Sequence, residues 1–167
     1  MSRPRPDSRI GTSAPPRATE AHDPDDLLRL DQQVCFALAV AARNVIGLYR
    51  PVLEPMGLTH PQYLVMLALW EQDGPMVSEL GERLSLDSGT LTPLLKRLEA
   101  SGYVARVRDV ADERRVHITL TAAGRKLKTR AANVPECLMA AAQCSVPELI
   151  SLTQQIQTLR DRIKKAA

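Results

Sequence analysis

From Leu27 onward the apolar residues Leu27, Leu30, Val34, Leu38, Ala41, Val45, Leu48 and Val52 recur at roughly 3.6-residue spacing, which predicts one long amphipathic helix. Asp23-Pro24-Asp25-Asp26 supplies its start: an N-cap aspartate, proline at the first helical position and acids in the first turn. Pro51 and Pro55 predict a kink and then its end. Thr59-His60-Pro61-Gln62 is a capping box that opens a second helix through Tyr63, Val65, Met66, Leu69 and Trp70, and Asp73-Gly74-Pro75 stops it. Two short helices follow, Val77 to Leu84 and Ser88 to about Ala100, separated by Ser85-Leu86, with Asp87 as cap of the second and Gly102 as its stop.

The period then changes. Val104 to Arg108 and Arg115 to Leu120 read as strands, the second alternating with Val116, Ile118 and Leu120 on one face. The charged stretch from Asp109 to Arg114 joins them. Thr121 caps a further helix that Pro135 interrupts or kinks on its way to about Gln143. Ser145-Val146-Pro147-Glu148 is another capping box, opening a terminal helix with Leu149, Leu152, Ile156, Leu159 and Ile163 on one face. The pattern predicts a mainly α fold with a small two-stranded wing, a winged helix-turn-helix. Apolar stripes at both ends of the chain need a partner surface, which predicts a dimer formed by the N- and C-terminal helices. The expected organisation is a disordered tail at 1–22, a dimerisation and sensor helix at 23–56, a DNA-binding domain at 59–120 and C-terminal dimerisation helices at 121–167.

Composition narrows the classes. The 167 residues suffice for a domain with a real core, and 44% are hydrophobic. The tail has Ile10 as its only large aliphatic, too little to offset ordering entropy, although Arg3, Arg5, Arg9 and Arg17 could touch DNA. An aromatic content of 3% argues against a binder that stacks single-stranded bases. No apolar run approaches the ~20 residues of a bilayer span and no secretory leader is evident, so a cytoplasmic location away from membranes is expected. The net charge of +3 is mild, but 11 Lys/Arg against 7 Asp/Glu fall between Met76 and Arg130, so the basic excess lies in one module. The plain alternative is a solvated charged face.

A helix-turn-helix with a wing reads B-DNA by placing its second helix in the major groove, N-terminal residues toward the base edges. Those residues are Ser88, Gly89, Thr90 and Thr92; Lys96 and Arg97, further along, suit phosphates. The wing offers Arg114 and Arg115 at its turn, with Arg106 and Arg108 on the paired strand, and an arginine at a hairpin tip suits a narrow minor groove. The partner predicted is double-stranded DNA. An enzyme is not expected: His22, His60 and His117 are scattered, and no nucleophile elbow, phosphate loop or metalloprotease motif accompanies them. No zinc-ligand pair is present among the three cysteines, and no cofactor or metal is called for.

Cys35 lies near the start of the first helical pattern. Cys137 and Cys144, seven residues apart, are expected to share one helical face. A DNA-reading module with a thiol that could meet another suggests a redox switch. The alternative for a lone cysteine on an apolar helix is a small buried hydrophobe.

Leu86-Asp87-Ser88-Gly89-Thr90-Leu91-Thr92-Pro93-Leu94-Leu95-Lys96-Arg97-Leu98-Glu99, followed by Asp112-Glu113-Arg114-Arg115, resembles the MarR-type winged-helix regulators. LDQQVCFAL, LYRPVL, LTHPQYLVMLALWE and LDSGTLTPLLKRLE resemble, more closely, the organic-hydroperoxide-resistance repressors of that group, over roughly residues 27 to 165. The resemblance implies a homodimer of interlocked end helices on an inverted-repeat operator, released when an organic hydroperoxide oxidises the N-terminal thiol. It makes Cys35 the peroxide-reactive cysteine and Tyr49 a tyrosine that hydrogen-bonds it across the dimer. His60 stands where the pattern has a second tyrosine, and Ala39 where some members have a third. A histidine could still donate to the thiolate, and more strongly if protonated. Ser88 and Thr90 match base-edge positions and Arg114 the wing-tip arginine. Cys144, nearest the exposed helix end, is the preferred resolving thiol, with Cys137 as alternative; both could instead be packing residues. A second non-enzyme reading is a regulator released by a small aromatic ligand, with Cys35 structural.

Overall fold

A computed structural model describes residues 24–109, 112 and 115–166. The expectations for the tail, for the Asp23 cap and for Arg114 lie outside the described residues. The elements are α1 (Pro24–Leu27), α2 (Val34–Leu53), α3 (His60–Glu71), α4 (Val77–Leu84), α5 (Ser88–Ala100), β1 (Val104–Arg108), β2 (Val116–Leu120), α6 (Ala122–Ala131), α7 (Val134–Ala142) and α8 (Val146–Ala166), with 3-10 turns at Leu30–Gln32 and Glu54–Met56.

The first helix is not continuous, contrary to its periodicity. Gln33 is extended, its backbone N–H donates to the Leu30 carbonyl at 3.2 Å, and its side-chain amide donates to the Arg29 carbonyl at 3.2 Å. These local bonds end the 3-10 turn and let α2 start afresh at Val34. Pro51 does not end α2, which continues to Leu53, because a proline in the last turn forfeits only one backbone bond. The stretch Val34–Met56 is, by length and composition alone, long and apolar enough to cross a bilayer, which corrects the expectation that no such run exists. Arg43 and Arg50 interrupt the run without making it polar on average.

The chain forms two compact units, one ending at Val40 and one of Ala41–Ala167, the division falling within α2. In the first, no described residue is buried, and Leu27, Leu28, Leu30, Val34, Phe36 and Leu38 are exposed. The second holds the core. α3 contributes Val65, Met66 and Leu69; α4 gives Leu80, α5 gives Leu91, Leu95 and Leu98, and the sheet gives Val104 and Ile118. Leu53 and Met56, at the end of α2 and in the turn after it, are buried in the same cluster.

Local chemistry sets the boundaries. The Thr59 backbone N–H donates to Gln62 Oε1 at 2.8 Å and starts α3. Between α4 and α5, Ser85 takes φ 54° and the Leu86 N–H donates to the Gly81 carbonyl at 2.9 Å. A Cβ on Gly81 would lie 2.9 Å from the Leu86 carbonyl oxygen, so the turn is closed by the absence of a side chain there. The wing pairs antiparallel with Val104 opposite Leu120, Arg106 opposite Ile118 and Arg108 opposite Val116. It is tied down by Asp73, whose carboxylate accepts from the Leu120 N–H at 2.7 Å, and the following helix α6 is tied to α3 by Trp70, whose indole donates to the Gly124 carbonyl at 2.9 Å.

The expected long helix after Thr121 is two, α6 and α7. The break falls at Ala132-Asn133, and Pro135 sits in the first turn of α7, where a missing N–H costs nothing. α8 opens as predicted, the Ser145 N–H donating to Glu148 at 2.8 Å, but none of its residues is buried; Ile150, Leu152, Ile156 and Ile163 stand exposed.

Candidate nucleic-acid interface and thiol site

α5 has one buried face, Leu91, Leu95 and Leu98, so the opposite face must look outward. Lys96 is exposed there and Thr92, one turn before it, is half-buried; Arg97 is exposed beside Lys96, and Ser88 is exposed at the start of the helix. The helix begins at Asp87, whose carboxylate accepts from the Thr90 N–H at 2.8 Å and from the Thr90 hydroxyl at 3.1 Å. The backbone bond first, and then the hydroxyl, hold the Asp87 carboxyl below the usual carboxylate range. The Thr90 hydroxyl is therefore engaged in capping, and a base contact from it would have to break that bond. Gly89 fits because a Cβ there would come 3.1 Å from Asp87 Oδ1.

The wing arginines do not act alike. Two-residue alternation puts Arg106 on the inner face with Val104, where its guanidinium lies 3.3 Å from the Glu99 carboxylate and 3.5 Å from the Thr92 carbonyl of α5. Its charge is compensated inside the domain, and it braces the wing against α5 instead of facing outward as expected. Arg108 and Arg115 are exposed, Arg115 at 3.5 Å from Asp112. At the base of the wing the two ring nitrogens of His117 meet the Gly74 carbonyl at 2.9 Å and the Asp109 carboxylate at 3.3 Å. The carbonyl first, then the carboxylate, raise the His117 pKa above its ordinary value.

Cys35 is the second residue of α2 and is exposed. It is thus in a first turn, where free backbone N–H groups and the helix dipole favour a negative group. Tyr49 stands fourteen residues later on the same helix and packs on His60, ring centroids 4.7 Å apart, and on Tyr63 at 5.8 Å. Burial raises the Tyr49 pKa and lowers that of His60. That shift disfavours the protonated imidazole, and the neutral ring still has one N–H to donate. Cys137 is exposed in α7, whereas Cys144 follows Gln143, which takes φ 52° and ends that helix. The two thiols therefore do not share one continuous helical face. Cys144 is half-buried with its thiol 3.3 Å from the Ala142 carbonyl, whereas Cys137 is exposed.

Two hollows flank Tyr49 and His60. One, of about 570 Å³, is lined by Arg43, Ile46, Arg50, Leu53, Leu58 and His60; the other, of about 340 Å³, lies among Tyr49, Tyr63, Leu67, Leu138, Met139 and Ile150. Arg43 and Arg50 had a signal in the sequence, two arginines one heptad apart on an otherwise apolar helix. Among the described residues, no group of three His, Cys, Asp or Glu side chains is placed to hold a metal ion.

A capped recognition helix behind a short turn, braced by a two-stranded wing, defines a winged helix-turn-helix protein. Residues 47–131, just over half the chain, match the family described as transcriptional regulator SarA/Rot. The chain is 48% identical over 143 residues to the HTH-type transcriptional regulator TtmR of Methylorubrum extorquens (strain PA1), covering 86% of this chain and 73% of that protein. It is 40% identical over 138 residues to the organic hydroperoxide resistance transcriptional regulator of Bacillus subtilis (strain 168), covering 83% and 94%. Among solved structures, reduced AbfR bound to DNA superposes with a TM-score of 0.70 at 35% identity, covering 83% of this chain and 97% of the other. The chain belongs to the MarR/SarA-type winged-helix transcriptional regulators.

Proposed function

We propose that this protein is a homodimeric repressor that holds an inverted-repeat operator while Cys35 is reduced and leaves it when an organic hydroperoxide oxidises that thiol. The observation that carries the reading is the pairing of a winged helix-turn-helix with an exposed cysteine in the first turn of α2, in a chain similar over 83% of its length to a regulator of organic hydroperoxide resistance. The Cys35 thiolate attacks the peroxide oxygen, the O–O bond breaks, and the products are a sulfenic acid and the alcohol of the peroxide. A second thiol, Cys137 or Cys144, then attacks the sulfenic sulfur; a disulfide forms and water leaves.

The resemblance to the organic-hydroperoxide-resistance repressors implies a homodimer in which Tyr49 of a second copy hydrogen-bonds the Cys35 thiol. The unburied apolar faces of α2 and α8 are the surface such a copy would cover. Ser88, Thr92 and, once released from Asp87, Thr90 face the bases. Lys96, Arg97 and Arg115 face phosphates, and Arg114 enters the minor groove. A cytoplasmic location accords with this role.

The hollow with Arg43 and Arg50 supports a second reading, release by a small anionic aromatic ligand, with Cys35 structural. Cys35→Ser decides between them. It is expected to bind operator as the wild type does and to ignore cumene hydroperoxide; release by salicylate together with peroxide release retained in the variant would establish the second reading.

A further inference from the structure

We propose that Tyr103 is the positioning residue through which displacement of α2 reaches the recognition helix and the wing; the proposal rests on the Cys35 sensing reading. Tyr103 lies between α5 and β1, and four elements converge on it. Its phenol donates to the Met56 carbonyl at 2.9 Å, in the turn that closes α2. Its backbone N–H donates to the Leu98 carbonyl in the last turn of α5 at 3.0 Å. Its carbonyl accepts from the backbone N–H of Thr121 at 3.0 Å and from the Thr121 hydroxyl at 3.2 Å, at the cap of α6. Gly124 lies against that same carbonyl so closely that a Cβ would collide with it.

The backbone of Tyr103 is thus held by α5, by the base of the wing and by α6, while its side chain alone reaches the end of the sensor helix. The preceding residue, Gly102, takes φ 72°, where a side chain would be strained, and it gives the chain its sharp exit from α5. A shift of the turn after α2 pulls on the phenol, and the phenol is attached to the residue that sets the angle between α5 and β1. Leu53 and Met56 also anchor α2, but by packing, which tolerates sliding; the hydrogen bond is directional and does not. Arg130 donates to the neighbouring Pro55 carbonyl at 2.9 Å from α6, an exposed tie that contributes less. The bland account is that Tyr103 only satisfies a carbonyl at a helix end. That account predicts an effect on stability and none on coupling.

Tyr103→Phe separates the two, since phenylalanine keeps the ring and loses one donor. The full-length wild type, Tyr103→Phe and Cys35→Ser are compared on a duplex selected from a random-sequence library by the reduced wild type. Operator Kd is measured before and after one equivalent of cumene hydroperoxide, with Cys35 oxidation followed by intact mass and folding checked by thermal melt. The expected result is a reduced-state Kd and an oxidation rate within twofold of wild type, with the ratio of oxidised to reduced Kd falling at least fivefold. An unchanged ratio, whatever the shift in melting temperature, overturns the proposal. A wild type that does not release, or a Cys35→Ser that still does, refutes the sensing reading and the coupling with it, and is seen in those arms independently of the phenylalanine variant.

Discussion

Leu152 and Ile156 stand one turn apart on α8, 53% and 43% exposed in the single chain, on a stripe that continues through Ile163. Fully burying a leucine or isoleucine stabilises by about 1.5–3 kcal/mol, so covering a side chain that is about half exposed is worth roughly 0.7–1.5 kcal/mol. A two-fold dimer buries each residue twice. Leu152→Ala with Ile156→Ala therefore removes about 3–6 kcal/mol of association free energy per dimer, or two to four decades in the dimer dissociation constant. Because α8 has no buried residue in the single chain, the fold of each subunit loses little. Sedimentation equilibrium from nanomolar to micromolar concentration measures the constant, and circular dichroism confirms helix content. A shift of less than tenfold, or a folded wild-type monomer that protects operator DNA, would refute the idea that α8 is a dimer seam.

The other expectations are narrower. Cys144→Ser and Cys137→Ser are each oxidised at Cys35 by cumene hydroperoxide, and the one that removes the resolving thiol shows no covalent dimer on a non-reducing gel; a dimer band that survives both substitutions made together would exclude these thiols. His117 titrates above its ordinary value, so its contribution to stability is fully present below the unfolded value near pH 6.5 and is lost as pH rises through the folded pKa. The melting temperature of the wild type is then expected to fall across that window relative to His117→Gln, and a parallel pH profile for the two proteins would show that the Gly74 and Asp109 contacts do not bias the ring.

How far the sequence could be read follows from the range of each interaction. α5 was legible to the residue because its stop and start are local: Asp87 caps Thr90 three residues away, and Gly102 supplies the positive φ two residues after the helix. α8 was legible for the same reason, through Ser145 and Glu148. The break before α2 was not, because Gln33 makes it with side-chain bonds that leave no glycine or proline in the letters. Seven-residue spacing put Cys137 and Cys144 on one face only if the helix held, and a non-glycine residue at positive φ, Gln143, ends it between them. Arg106 could have been turned inward from alternation with Val104, but the carboxylate that meets it comes from Glu99, on another element. Tyr103 gave no signal, since its partner Met56 is forty-seven residues away. Cys35 is the extreme case. In one chain it is exposed, in a unit of which no described residue is buried. Under the proposed function the groups that tune Cys35 come from a second copy, so the sequence can name the candidate thiol while its environment depends on how two copies meet.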